Sequence, residues 1–422
     1  MTRGVRVLGS NQPGEVFLAL REALGGGGFA VVPRGPAVKA VDAARGSAVT
    51  AGNAVTAGSA ATAGGAAAAG GGAWPEPGAT VAQNVALVIE TSGSTGVPKR
   101  VALSADALLA SAAASAGAMG GQGQWILALP AHYVAGAQVL VRSVAAETEP
   151  LYYGQRHFDP VAFSALAAEL THDLRFVSLV PVQLARLVDA AEAGAPGVME
   201  ALRRFDGILV GGQALGEAMR ERAERLGARI LGTYGSSETA GGCVYDGLPI
   251  GATVVREVDG TLEIGGPVLA EGYLGDAERT AAVFHEADGL RWYRTGDLGR
   301  VRDDGRVVVL GRADNVIISG GEKVLLDAVE RAVRALDGFG QAVVVAAEDD
   351  EWGHVPVVAI EGAEPGRSLA ELREFVTEQV GRAAAPARVV VLASLPMLSS
   401  GKPDRVAVAR LVAGASGSTT LA

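Results

Sequence analysis

The chain has 422 residues, 49% of them hydrophobic, and a formal net charge of −10. That is enough for two or three domains with a large buried core, and it excludes wholesale disorder. Acidic and basic residues are interspersed, so no Lys/Arg block exists to grip nucleic acid, and the single cysteine, Cys243, rules out an intrachain disulfide or a cysteine-rich zinc site.

The first residues hold no apolar stretch long enough for a signal peptide. Residues 51–73 are Ala and Gly punctuated by Thr, Ser and Asn, too poor in Leu, Ile and Phe for a membrane span. A cytoplasmic location is expected. Residues 40–78 as a whole read as a low-complexity linker or lid-like loop. After it, Val85 to Thr91 is a short apolar run typical of a buried strand, and residues 104–118 read as a helix with Ser104 as N-cap. Residues 125–130 give a strand before an apolar helix at 136–146. Strands at 175–180 and 207–210 precede helices at 181–193 and 215–226. Strands alternating with helices predict an α/β large domain of helix-covered mixed sheets. From Val254 the period changes, and two runs fold about Asp259-Gly260 and Asp304-Gly305 as hairpins of a small β subdomain. From about residue 315 the pattern is helix, strand, strand, helix, strand and a loop at 398–403, a small α+β domain. The expected division is 1–312 and 313–422.

Thr91, Ser92, Gly93, Ser94, Thr95, Gly96, Val97, Pro98 and Lys99 follow the buried strand directly. Hydroxyls and backbone N–H groups at this density can wrap a polyphosphate, and Lys99 adds charge. Val97-Pro98 stands where a Walker loop needs Gly-Lys, so a phosphate loop of another class is expected. Gly211, Gly212 and Gln213 follow a strand, where glycine permits close approach to a base; alone, such a pair is an ordinary turn. Further on come Thr233-Tyr-Gly-Ser-Ser-Glu-Thr239, Tyr293-Arg-Thr-Gly-Asp297, Gly311-Arg-Ala-Asp314, Ser319-Gly-Gly-Glu-Lys323 and Ser399-Ser-Gly-Lys-Pro-Asp404.

In this order the motifs resemble those of the adenylate-forming superfamily of acyl-CoA synthetases, adenylation domains and luciferases. The resemblance covers residues 81–405 and implies ATP, Mg²⁺ and coenzyme A as cofactors or co-substrates. It implies that Thr91–Lys99 covers the phosphates, that Tyr234 stacks on adenine beside Gly235, and that Glu238 holds Mg²⁺. Thr239 would touch the α-phosphate, and Asp297 and Arg312 would bind the ribose. Asp314 would be the hinge of a mobile C-terminal domain, Gly320 and Gly321 would line the pantetheine tunnel, and Lys402 would be catalytic, with Lys99 and Thr239 assisting. Leu325-Leu-Asp327 departs from the proline-containing stretch common after the tunnel loop.

The abbreviated N-terminal region and its Ala/Gly bias resemble the short actinobacterial form of o-succinylbenzoate–CoA ligases of menaquinone biosynthesis. That resemblance points to His132, Gln183, Arg186 and Ser237 as donors to the acid, with Gly241 and Gly242 thinning the pocket wall. Each has a plain alternative: His132 could cap a helix and Arg186 could face solvent. A ligase for another aromatic or short acyl acid, an adenylation enzyme serving a separate carrier protein, and an inactive nucleotide-binding paralogue remain open. A homodimer is compatible with the sequence.

Overall fold

The computed structural model describes residues 1–35, 74–76, 78–91, 99–154, 157–362, 366–398, 402–414 and 420–421. Ser92 to Pro98 of the expected phosphate loop, most of residues 40–78, and Ser399 to Gly401 lie outside them. Among the described residues the strands form four sheets.

The first sheet runs in the order Gly272–Tyr273, Lys99–Ser104, Val85–Thr91, Ala30–Arg34, Thr2–Gly9, Thr80–Ala82. Val85–Thr91 is buried over its first five residues, as a continuous apolar run requires. The strands Thr2–Gly9 and Ala30–Arg34 are parallel and are joined by the helix Pro13–Leu24, which starts with proline in its first turn. No element was assigned to these first residues from sequence. The reason is Arg3, which is buried and donates to the carbonyls of Ala23 (3.0 Å) and Gly27 (3.3 Å), so an inward charge masks the strand pattern.

The second sheet has the order Leu248–Pro249, Gly241–Tyr245, Ile230–Ser236, Gly207–Val210, Arg175–Leu179, Gln124–Leu127, Leu151–Tyr152. Its centre is parallel, and Gly241–Tyr245 turns back antiparallel on Ile230–Ser236. The expected helices appear as Ala105–Ala118, Val134–Ala145, Pro181–Glu192 and Glu217–Arg225. Ser104 caps the first, its Oγ accepting from the Ala107 N–H at 3.3 Å.

The β subdomain contains the hairpin Val254–Val258/Thr261–Gly265. Asp259 (φ +50°) and Gly260 (φ +77°) make its two-residue turn, matching the right-handed twist of the strands. The second expected hairpin exists between Leu290–Val301 and Val307–Arg312, but its turn is longer than the Asp304-Gly305 pair. Arg302 and Arg306 close it through Arg302 N–H to Arg306 O at 2.8 Å, and only Gly305 adopts positive φ.

The small domain has its own sheet and two apolar clusters around Val329, Val358 and Leu372 and around Val345, Val390 and Val408. Each fully buried Leu or Val is worth about 1.5–3 kcal/mol relative to exposure, so a separate core stabilises a separate unit. The stretch read as a tunnel loop is a tight hairpin, Val316–Ser319 against Glu322–Leu325, with Gly320 (φ +57°) and Gly321 (φ +85°) at the turn. Among the described residues, no helix is long and apolar enough to cross a membrane.

Candidate active site

Three strands converge on one acidic residue. Ile230–Ser236 carries Tyr234, Leu290–Val301 carries Asp297, and Val307–Arg312 ends with Arg312 in register opposite Asp297. The Tyr234 hydroxyl donates to Asp297 Oδ2 at 2.6 Å. Arg312 Nη1 donates to Asp297 Oδ1 at 3.1 Å and to the Thr295 carbonyl at 2.9 Å. Burial raises the Asp297 pKa above the usual carboxylate range, against the lowering effect of Tyr234 and Arg312. The same burial, with the Asp297 charge, pushes the Tyr234 phenol up, so it stays a donor. An ionised carboxylate has about four lone-pair sites, so Asp297 keeps capacity for two further donors such as ribose hydroxyls.

Arg312 also reaches Asp314 through Nε (3.2 Å) and Nη2 (3.3 Å). Across the same junction the small-domain helix Leu326–Arg334 supplies Asp327, whose Oδ2 accepts from the Arg312 N–H (3.1 Å) and from Asn315 Nδ2 (2.9 Å). Asp327, within the stretch that departs from the family pattern, therefore ties this helix to Arg312 and Asn315.

Lys99, Tyr234, Glu238, Tyr273 and Asp297 line one cleft of about 250 Å³. Gly235 must be glycine, because a side chain there would collide with the Gly241 carbonyl. Glu238 is only 7% exposed, and its Oε1 accepts from the Tyr273 hydroxyl at 2.8 Å. Lys99 Nζ lies 5.6 Å from the Tyr273 ring centre. Among the described residues no cluster of three metal-ligating side chains occurs. A single buried carboxylate beside a lysine fits a Mg²⁺ ion held mainly by phosphates and water.

The Lys402 carbonyl accepts from the Leu398 N–H (2.8 Å), and the Asp404 N–H donates to the Pro396 carbonyl (2.8 Å). The Lys402 side chain reaches the large domain. Gly212 sits at φ +86°, and a Cβ there would stand 3.5 Å from Lys402 Cε. Lys402 keeps contact with solvent, yet desolvation lowers its pKa, opposed by the charge of Asp297. Gly211 packs so closely on Thr233 that any side chain would clash. Gln213, half-buried, completes this loop.

The residues assigned to the acid are not brought together. Gln183 spends its amide on the backbone: Oε1 accepts from the Val180 N–H (3.1 Å) and Nε2 donates to the Ala128 carbonyl (3.1 Å). Through these two bonds it braces two strand ends. Arg186 is exposed and donates to the Phe158 carbonyl at 3.4 Å, so it takes the solvent-facing alternative. His132 Nδ1 pairs with Ser10 Oγ at 2.9 Å, its ring lies against Gly35, and burial lowers its pKa, favouring a neutral ring that attracts a carboxylate weakly. Thr239 is fully buried, its hydroxyl accepting from the Ser236 N–H (2.9 Å) and donating to the Gly241 carbonyl (2.8 Å). That closes the turn behind Glu238 and engages the Thr239 hydroxyl with the backbone. Ser237 shares the 3₁₀ turn Ser237–Thr239 with Glu238, and Gly241 (φ +100°) and Gly242 open the strand Gly241–Tyr245 that follows. Behind them the Ala240 carbonyl accepts from Gln138 Nε2 (2.7 Å) and Ser111 Oγ (3.0 Å).

Sequence reasoning missed Tyr273, Asp327 and Gln138. Tyr273 reaches Glu238 through strand pairing with Val101, a non-local contact with no spacing signature. Cys243 is buried with its thiol pushed up to about 12, and it does not line the cleft.

The family model described as AMP-binding enzyme matches residues 30–279, and that of the AMP-binding enzyme C-terminal domain matches 328–402. A probable 2-succinylbenzoate–CoA ligase of Mycobacterium tuberculosis is 37% identical over 343 residues, covering 80% of this chain and 87% of that protein. The 2-succinylbenzoate–CoA ligase of Escherichia coli is 31% identical, covering 74% of this chain and 65% of the relative. Among solved structures, the Bacillus subtilis o-succinylbenzoate CoA synthetase in complex with its acyl-adenylate intermediate superposes with a TM-score of 0.65. It is 28% identical and covers 77% of this chain and 69% of its own. The same enzyme with ATP and magnesium ion gives 0.64 at 27% identity, covering 76% and 69%. The chain belongs to the AMP-binding, adenylate-forming enzyme family, and within it to the acid–thiol ligases of the 2-succinylbenzoate–CoA ligase type.

Proposed function

We propose that this chain joins 2-succinylbenzoate to coenzyme A in two steps, through an enzyme-bound acyl-adenylate. The observation that carries the reading is the convergence of Tyr234, Glu238 and Asp297 on one cleft, with Lys402 of the small domain reaching the large-domain loop at Gly212. In the first step the succinyl carboxylate attacks the α-phosphorus of ATP and pyrophosphate leaves. In the second the CoA thiol attacks the acyl carbonyl and AMP leaves.

Asp297 and Arg312 hold the ribose, and Tyr234 covers the adenine. Lys402, protonated, bridges the attacking carboxylate and the α-phosphate and offsets the charge that builds between them, a preorganised electrostatic contribution. Bound Mg²⁺, held by Glu238, supplies neutralisation of phosphate charge. Positioning accounts for much of the remaining acceleration, because no side-chain nucleophile is needed. We place the domain boundary at Arg312/Ala313, with rotation about Asp314 removing Lys402 and admitting CoA past Gly320 and Gly321. Ser237, Gly241 and Gly242 are assigned to the acid's wall because they adjoin Glu238 in the chain. ATP and CoA as co-substrates suit a cytoplasmic location.

The test is a panel of aromatic and aliphatic acids incubated with enzyme, ATP, Mg²⁺ and CoA, with the thioesters weighed by mass spectrometry. The reading expects the highest kcat/KM for 2-succinylbenzoate; no thioester from that acid rejects it.

A further inference from the structure

The segment Ala270–Tyr273 touches Glu238 twice. The Ala270 N–H donates to the Glu238 carbonyl at 2.8 Å, and the Tyr273 hydroxyl donates to the Glu238 carboxylate at 2.8 Å. The same segment pairs antiparallel with the strand that begins at Lys99, in the register Tyr273 opposite Val101 and Gly272 opposite Ala102. Backbone bonds flank that pairing on both sides, Glu271 N–H to Ala102 O and Leu274 N–H to Arg100 O, each 2.9 Å. Four residues therefore fix the acidic turn relative to the strand leaving the phosphate loop.

Tyr273 is itself held from behind. Its N–H donates to Thr280 Oγ1 at 2.9 Å, and that hydroxyl donates to the Asp276 carbonyl at 2.8 Å. Asp276 caps the helix Ala277–Val283 through the Arg279 N–H at 3.0 Å. Gly272, at φ +141°, allows Thr280 to come this close, since a Cβ would lie 2.5 Å from its methyl carbon. The phenol thus reaches Glu238 from a fixed frame, and among the described residues it makes the only side-chain hydrogen bond to that carboxylate. A carboxylate with one oxygen held by a donor is fixed in plane and keeps its remaining lone pairs for a cation.

We propose that Tyr273 is a positioning residue that orients Glu238 for Mg²⁺ bound with the nucleotide. This rests on the reading of Glu238 as the metal carboxylate. Outer partners of this kind are commonly worth about 10–100-fold in metal affinity.

The experiment measures ATP binding by equilibrium dialysis, without metal and across a Mg²⁺ titration, for the full chain and for Tyr273→Phe, Thr280→Val and Glu238→Gln. Tyr273→Phe is expected to raise the half-saturating Mg²⁺ concentration about 10-fold while leaving metal-free ATP binding and the unfolding midpoint near wild type. Thr280→Val, one step removed, shifts it in the same direction by less, and it tests the proposal even if Tyr273→Phe folds poorly. Mg²⁺ dependence of Glu238→Gln identical to wild type overturns the metal reading itself. If Glu238→Gln loses that dependence while Tyr273→Phe and Thr280→Val titrate as wild type, only the positioning role falls. Equal weakening of ATP with and without Mg²⁺ in Tyr273→Phe also overturns it, because that pattern marks a purely structural tyrosine.

Discussion

Of the residues proposed for the nucleotide, Asp297 bonds through its side chain to both Tyr234 and Arg312, and Glu238 is held by Tyr273. Of the residues proposed for the acid, Gln183, Arg186 and His132 each bond to a different part of the scaffold and none bonds to another. A residue whose hydrogen-bonding groups meet other functional groups is arranged for a ligand. One whose groups meet backbone carbonyls and N–H groups is arranged for the fold, since buried polar groups left unpaired cost about 1–3 kcal/mol each.

The contrast can be broken by substitution. Lys402→Ala should have the largest effect, lowering acyl-adenylate formation by about 10²–10³-fold while sparing thioester formation from supplied acyl-adenylate. Equal loss of both half-reactions, each followed in single turnover, would move Lys402 out of the adenylation step. Asp297→Ala removes a charged hydrogen-bond acceptor and should cost about 10–100-fold in kcat/KM for ATP, with the KM for the acid little changed. Gln183→Ala leaves the Val180 N–H and the Ala128 carbonyl without this partner. It should destabilise the fold by about 1–3 kcal/mol in denaturant melts, without a matching rise in the acid KM. Arg186→Ala should stay within about 0.5 kcal/mol of wild type in stability and leave the acid KM unchanged. A large rise in the acid KM from either of the last two would return them to the binding wall.

The pH profile sharpens the same contrast. Lys402 acts as a cation and its pKa is lowered by desolvation, so adenylation should fall on the alkaline side at a lower pH than an ordinary lysine would give. Thioester formation from supplied acyl-adenylate should lack that limb. Asp297, with its pKa raised by burial, should lose ATP affinity on the acid side at a higher pH than a free aspartate.

The convergence of Tyr234, Asp297 and Arg312 was legible because these residues sit in contiguous motif strings, and strand-to-strand register then carries Asp297 to Arg312. The α/β alternation and the Asp259-Gly260 hairpin were legible for the same local reason. What the sequence hid depends on long-range contact. Arg3 is paired inward and disguises the first strand, and Tyr273 meets Glu238 only through pairing with the strand beyond Lys99. The motif at Thr239 identifies a turn and does not say which hydroxyl the turn consumes.

The central claim is that this chain makes an acyl-adenylate before any thiol is involved. Mixing enzyme, ATP, Mg²⁺ and 2-succinylbenzoate without CoA, with products followed by mass spectrometry, tests it directly. The account predicts pyrophosphate and enzyme-bound succinylbenzoyl-AMP, converted to the thioester when CoA is added. Thioester that forms with no adenylate intermediate, or ATP left intact beside the acid, would contradict it.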